Sequence, residues 1–227
     1  MERSFYLLLQ VNEATFPIGG YAHSYGLETY VQRGLVKSAE STYCYIEQNI
    51  KNAFLYTELL SACLAYDAAE KRDMKEILSL EEIILAGKTP TEIRRASEKL
   101  GSRFLKTASV LLEADTIFSK YQEETIGKSV SHAVAYGVFC CAGKVGREQA
   151  LSTFLYSQVS AIVTNAVKTI PLRQTDGQCI LARCHRLFSQ VLERLGTLSK
   201  EDLCRSCPGL DVRAMQHETL YSRLYMS

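Results

Sequence analysis

The chain has 227 residues, of which 47% are hydrophobic and only four are proline, so a sizeable core can be buried without covalent staples. With 26 basic and 25 acidic residues the net charge is +1, which leaves no long-range field to gather nucleic acid or anionic lipid. No stretch approaches the ~20 apolar residues of a membrane span, and the brief apolar run Phe5-Tyr6-Leu7-Leu8-Leu9 has no small-residue cleavage site after it, so it does not read as a signal peptide.

In chain order, the first unusual stretch is Phe16-Pro17-Ile18-Gly19-Gly20-Tyr21-Ala22-His23-Ser24-Tyr25-Gly26-Leu27-Glu28, dense in residues that fix or free the backbone. It predicts a turn leading into a helix. Over residues 40–66, Tyr43, Ile46, Ile50, Phe54, Leu55, Leu59, Ala62 and Leu64 recur mostly every three or four positions, the period of one buried helical face. Thr89-Pro90-Thr91-Glu92 predicts a helix start, with a hydroxyl cap, proline at the first helical position and Glu92 reaching back; Ile93, Ala96, Leu100, Phe104, Leu105, Ala108 and Leu111 carry it to about Glu113 or beyond.

Residues 120–131 are polar and aperiodic and read as a surface connection. Residues 131–139 predict a buried helix closing near Gly143 or Gly146. A long helix follows from Arg147 to Thr169, stopped by Pro171, and another begins near Thr175-Asp176-Gly177 and ends at Gly196. No segment alternates as a strand would, so the fold class is all-α: a single helical, bundle-like domain over residues 1–207. Pro208-Gly209 then sets off a tail, residues 208–227, in which Asp211 is a candidate cap and Val212, Met215, Leu220, Leu224 and Met226 supply apolar surface. A segment this short is marginal as a helix on its own, so the tail is expected to be mobile until it folds on a partner.

The search for chemistry is mostly negative. Gly143-Lys144 lacks the spacing and the hydroxyl of a phosphate-binding loop, and Gly19-Gly20 lacks the strand and spacing of a dinucleotide fingerprint. His217-Glu218 starts like a zinc-protease helix, but Tyr221 stands where the second histidine belongs. Cys204 and Cys207 form a lone pair of thiols, short of the four ligands of a structural zinc site. The other cysteines, Cys44, Cys63, Cys140, Cys141, Cys179 and Cys184, fall in helical patterns and read as small reduced hydrophobes. The four histidines are scattered; His23 and His217, in unusual segments, are the metal candidates of interest, without an assembled site. No cofactor is expected.

Three ordered segments resemble the signatures of the UreF family of urease accessory proteins. They are Leu8-Leu9-Gln10 with residues 16–28, then Pro171-Leu172 with Gln174-Thr175-Asp176-Gly177-Gln178, and finally residues 215–224. The resemblance implies an all-helical, cytoplasmic, non-enzymatic protein that dimerises and binds a UreD/UreH-type accessory protein. That pair recruits a UreG-type GTPase to the urease apoprotein for nickel insertion, without nucleic acid or membrane. It makes Pro17, Gly19, Gly20, His23, Ser24, Gly26, Glu28, Gln174, Asp176, Gly177, Met215, His217, Glu218, Tyr221, Arg223 and Leu224 the candidate partner-binding residues. The alternatives are a GTPase-activating regulator, for which Arg173 or Arg223 would supply the charge, and a nickel-binding metallochaperone.

Overall fold

The computed structural model describes residues 2–114, 116–205 and 207–226, and the side chains of these except Glu2 and Tyr21. Ser206, between the two thiols, and Ser227, the last residue of the tail, lie outside that set. The architecture is helical throughout, with no strand among the described residues. Helix α1 (Glu2–Asn12) leads through a 3-10 turn (Gly20–Ala22) to the short α2 (Leu27–Gln32). A long rod then comprises α3 (Ala39–Asn49), a π-helical stretch (Ile50–Leu59) and α4 (Leu60–Glu70). There follow α5 (Met74–Gly87), α6 (Thr91–Ser109), α7 (Ile117–Glu124), α8 (His132–Ala142), α9 (Arg147–Thr169), α10 (Gln174–Leu195) and α11 (Pro208–His217). None of these helices is long and apolar enough to cross a membrane.

The rod expected over residues 40–66 is therefore real but not uniformly α. Its buried positions Ile50, Phe54, Leu55 and Leu59 step by four and five residues, which suits the wider i→i+5 turn. Helix α6 starts without the expected hydroxyl cap: Pro90 occupies the cap position with no side-chain bond, and the helix ends at Ser109 rather than near Glu113. Helices α8 and α9 have the predicted bounds, with Ser131 capping the Val134 amide of α8.

The centre of the molecule is α8, packed most extensively on α4 and also on α6. Its closeness depends on two glycines. A Cβ at Gly137 would stand 2.3 Å from the Ala62 carbonyl oxygen, and one at Gly101 would stand 2.1 Å from the Val130 carbonyl oxygen. Around this contact Phe104, Phe118, Tyr136, Phe139 and Phe154 form one aromatic cluster, with Tyr136 stacked on Phe154 at 4.5 Å. Asn12 donates to the Tyr136 hydroxyl at 3.0 Å, which ties the end of α1 to the core.

The polar stretch 120–131 is not merely a connection. Its first part belongs to α7, whose Tyr121 is fully buried and donates its hydroxyl to the Glu81 carboxylate of α5. The Ser131 amide donates to the other Glu81 oxygen at 2.7 Å, so one buried acid ties three elements together. Burial pushes the Glu81 carboxyl up to about 7, against the pull of both hydrogen bonds. The folded chain thus holds a proton that the unfolded chain releases above its ordinary value of 4.5. Stability from this group is complete below that value and is lost as pH rises through about 7. Denaturant titrations of Glu81→Gln and wild type should show the variant gaining, relative to wild type, roughly 2–3 kcal/mol between pH 5 and pH 8. A constant difference across that range would mean that Glu81 ionises as it does in water.

Two cysteine readings also change. All eight described thiols are free, but Cys44 and Cys179 are exposed rather than packed. Cys204 is half-buried against Gly87, where a side chain would occupy the space of its sulfur.

Candidate functional site

The loop over residues 16–28 is held from three sides. Phe16 and Ile18 are buried, with Phe16 against Phe104 of α6 at 5.9 Å between ring centres. Arg103 donates to the Ile18 carbonyl at 3.2 Å, and Asn165 of α9 donates to the His23 carbonyl at 2.9 Å. Gly19 (φ 84°) and Gly26 (φ 89°) adopt the left-handed conformation that glycine accepts without strain. A Cβ on Gly19 would collide with the Arg103 guanidinium at 2.6 Å. Gly20 differs from both: it has no positive φ and no atom within 4 Å of its would-be Cβ. Pro17 is exposed beside it.

The tail returns to this loop. Helix α11 packs on α2 and α6, and Pro208 opens it, with Asp211 inside the first turn rather than at the cap. The expectation of a detached, mobile tail is replaced by a docked one, because its polar groups find buried partners. Glu28, 5% exposed, accepts from the Leu224 amide at 2.7 Å and the Tyr225 amide at 3.2 Å. Its Oε2 also lies 3.1 Å from Nε2 of His217, which is fully buried. Nδ1 of the same ring lies 2.7 Å from Glu92 Oε2, and Arg223 donates to Glu92 Oε1 at 2.8 Å. Both ring nitrogens of His217 thus face carboxylate oxygens, and Arg223 shares the second carboxylate. The Met226 amide closes the contact by donating to the Ala22 carbonyl at 2.8 Å, and Gln32 donates to the Ser222 carbonyl at 2.7 Å.

Among the candidate residues, the structure thus joins Glu28, His217, Arg223 and Leu224 directly, with Gly26 beneath Ala214 of α11. His23 and Ser24 are buried in the loop; burial first, then the nearby Lys99 and Arg103, lowers the His23 pKa. Met215, Glu218, Tyr221 and Leu224 face outward, as does Arg223 in part. Gln174, Asp176 and Gly177 form a separate corner between α9 and α10. There Asp176 caps the Arg173 amide at 2.9 Å, and Gly177 leaves room for Val167, 2.8 Å from a would-be Cβ. No hydrogen bond or ion pair joins that corner to the loop or tail among the described residues. Sequence reasoning missed Glu92, reading it as a helix-cap residue of α6 when its carboxylate bridges His217 and Arg223.

Beneath α11 lies a cavity of about 140 Å3, lined by His23, Glu58, Lys88, His132, Asn165 and Asp211 among largely apolar neighbours. Its buried lysine is paired: Lys88 donates to Glu58. Burial raises the Glu58 carboxyl, but the Lys88 charge and hydrogen bonds from Lys88 and Thr57 hold it below its ordinary value. Burial takes His132 down to about 4, so its ring is neutral. Among the described residues no three His, Cys, Asp or Glu side chains are gathered for a metal ion.

Fold and site together define an all-α protein whose C-terminal segment is folded back on a glycine-rich N-terminal loop through a buried carboxylate and imidazole. The family profile described as UreF matches residues 36–185. The chain is 34% identical over 221 residues to the urease accessory protein UreF of Bacillus sp. (strain TB-90), covering 97% of each chain. It is 34% identical over 222 residues to that of Actinobacillus pleuropneumoniae and 31% identical over 221 residues to that of Lachnoclostridium phytofermentans, again covering 97% of each chain. The chain belongs to the UreF family of urease accessory proteins.

Proposed function

We propose that this chain is a non-enzymatic adaptor of urease maturation that works in the cytoplasm. With a UreD/UreH-type protein it recruits a UreG-type GTPase to the urease apoprotein, where nickel is delivered. The observation that carries this reading is the meeting of the first and last signature segments in one place. Glu28 and His217, 189 positions apart, hold the loop and tail as a single surface. That surface presents Pro17 from the loop and Met215, Glu218, Tyr221 and Leu224 from the tail. Tyr221 is wholly exposed and Leu224 is 65% exposed, and exposed aromatic and aliphatic groups on an anchored segment suit a protein partner. On this reading His23, Ser24, Gly26, Glu28 and His217 shape the docking surface from beneath. Gly19, Gly20 and the Gln174, Asp176, Gly177 corner supply further contact. A homodimer is supported by a second patch: Phe5, Tyr6 and Leu9 of α1 stand exposed, and Leu9 lines a cavity with Tyr156 of α9.

The test is maturation itself. A strain with its urease structural and accessory genes intact except for this one should make urease with little nickel and little activity. Wild-type chain should restore both, whereas Tyr221→Asp with Leu224→Asp should not, although the doubly substituted chain melts within about 2 °C of wild type, as exposed substitutions do. Full restoration by that variant would remove the tail from the docking surface.

A further inference from the structure

Helix α6 carries Arg95, Lys99, Arg103 and Lys106 at spacings of four, four and three residues, all exposed on one face. At a rise of ~1.5 Å per residue they form a strip about 16 Å long. Such like-charge neighbours destabilise a helix slightly unless something offsets them. No ion pair reaches any of the four among the described residues, although eleven ion pairs are formed elsewhere. The nearest carboxylate towards the start of the helix, Glu92, is taken up by His217 and Arg223, and Glu98 pairs with none of the four. Among the described residues, Arg103 alone of the four has a side-chain hydrogen bond, to the Ile18 carbonyl.

The strip runs beside the loop of residues 16–28: Arg103 covers Gly19, and both Lys99 and Arg103 act on His23. A local charge of +4 in a chain of net charge +1 is a directional feature and not a general polyanion-binding field. We propose that the outer face of α6 is a docking strip for the acidic face of a protein partner. It would steer that partner onto the adjoining loop and tail, and so it rests on the adaptor reading above. Charges at the edge of an interface act chiefly on association rate and salt dependence, so the signature is electrostatic.

The experiment measures affinity of the full-length chain for each of the three proposed partners at ~50 and ~300 mM salt, the higher of which cuts the screening length to about a third of the strip length. The variants are Arg95→Glu, Lys99→Glu and Lys106→Glu together, the same three positions as Gln, and Arg95→Lys alone. Arg103 is left intact because it supports the loop. At low salt the Glu variant should bind one partner at least tenfold more weakly, the Gln variant should fall between, and Arg95→Lys should match wild type. All three should keep wild-type circular dichroism, and high salt should erase the differences. If wild type binds a partner and the Glu variant binds it equally at both salts, the strip is a solvated face and the proposal fails while the adaptor reading stands. If wild type binds none of the three, the adaptor reading fails and this proposal with it. Loss of retention on a single-stranded oligonucleotide with partner binding intact would overturn the proposal in favour of nucleic acid.

Discussion

Replacing Glu28 with alanine should release the tail. Its carboxylate is the buried acceptor for two tail amides and for one nitrogen of His217, and no described side chain stands ready to replace it. Leaving a buried hydrogen-bond donor without its acceptor costs about 1–3 kcal/mol, and here two tail amides lose theirs. The loss falls mainly on the tail, which meets the body at its margin, so local opening is the expected response. By hydrogen exchange, amides of residues 214–226 should lose on the order of a hundredfold in protection while α8 and α9 keep theirs. Glu28→Gln should be milder, since the amide oxygen still accepts. Unchanged protection in the alanine variant would mean that the apolar face of α11 alone docks the tail.

Gly137→Val should be among the most damaging single changes in the helical core. Its Cβ would press on the Ala62 carbonyl at 2.3 Å and on the Tyr66 amide nitrogen at 3.0 Å, both backbone atoms that cannot rotate away. The α4 and α8 axes must then separate, undoing the most extensive helix contact in the molecule. Overpacking of this kind destabilises by about 3 kcal/mol, which outweighs the ~1 kcal/mol or less that a side chain gains over glycine in a helix. In a chain of this length that lowers the melting temperature by roughly 10 °C. Gly20→Val is the contrast: with open space around it, the melting temperature should hold. Equal melting temperatures for both variants would show that α8 is not tightly seated.

What the sequence made legible follows from what is local. Helix α9 could be read to its ends because Gly146 precedes it, Pro171 follows it, and Leu151, Phe154, Leu155, Val159, Ile162 and Val163 keep one face apolar throughout. Helix α8 was readable from Ser131 and a run of apolar residues. Helices α5 and α7 were not read: Tyr121 looks like part of a polar connection until Glu81, forty residues earlier, is known to accept its hydroxyl. The π-helical stretch has buried positions that an α period nearly satisfies, so its wider turn left no separate signal. The site was half legible. Its segments stood out by glycine content and by apolar residues near the terminus, but nothing in the spacing joins Glu28 to His217, or assigns Glu92 to the tail instead of its own helix end.

The adaptor account depends most on the loop and tail acting as one docking surface. Its most direct measurement is co-purification of the full chain with the UreD/UreH-type protein, comparing wild type, Glu28→Ala and a chain ending at residue 214. Wild type should retain the partner in stoichiometric amount; the truncated chain, which keeps the helical core through α10, should retain none, and Glu28→Ala should retain a small fraction. Full capture by the truncated chain, with its circular dichroism unchanged, would contradict the account and move the docking surface away from the tail.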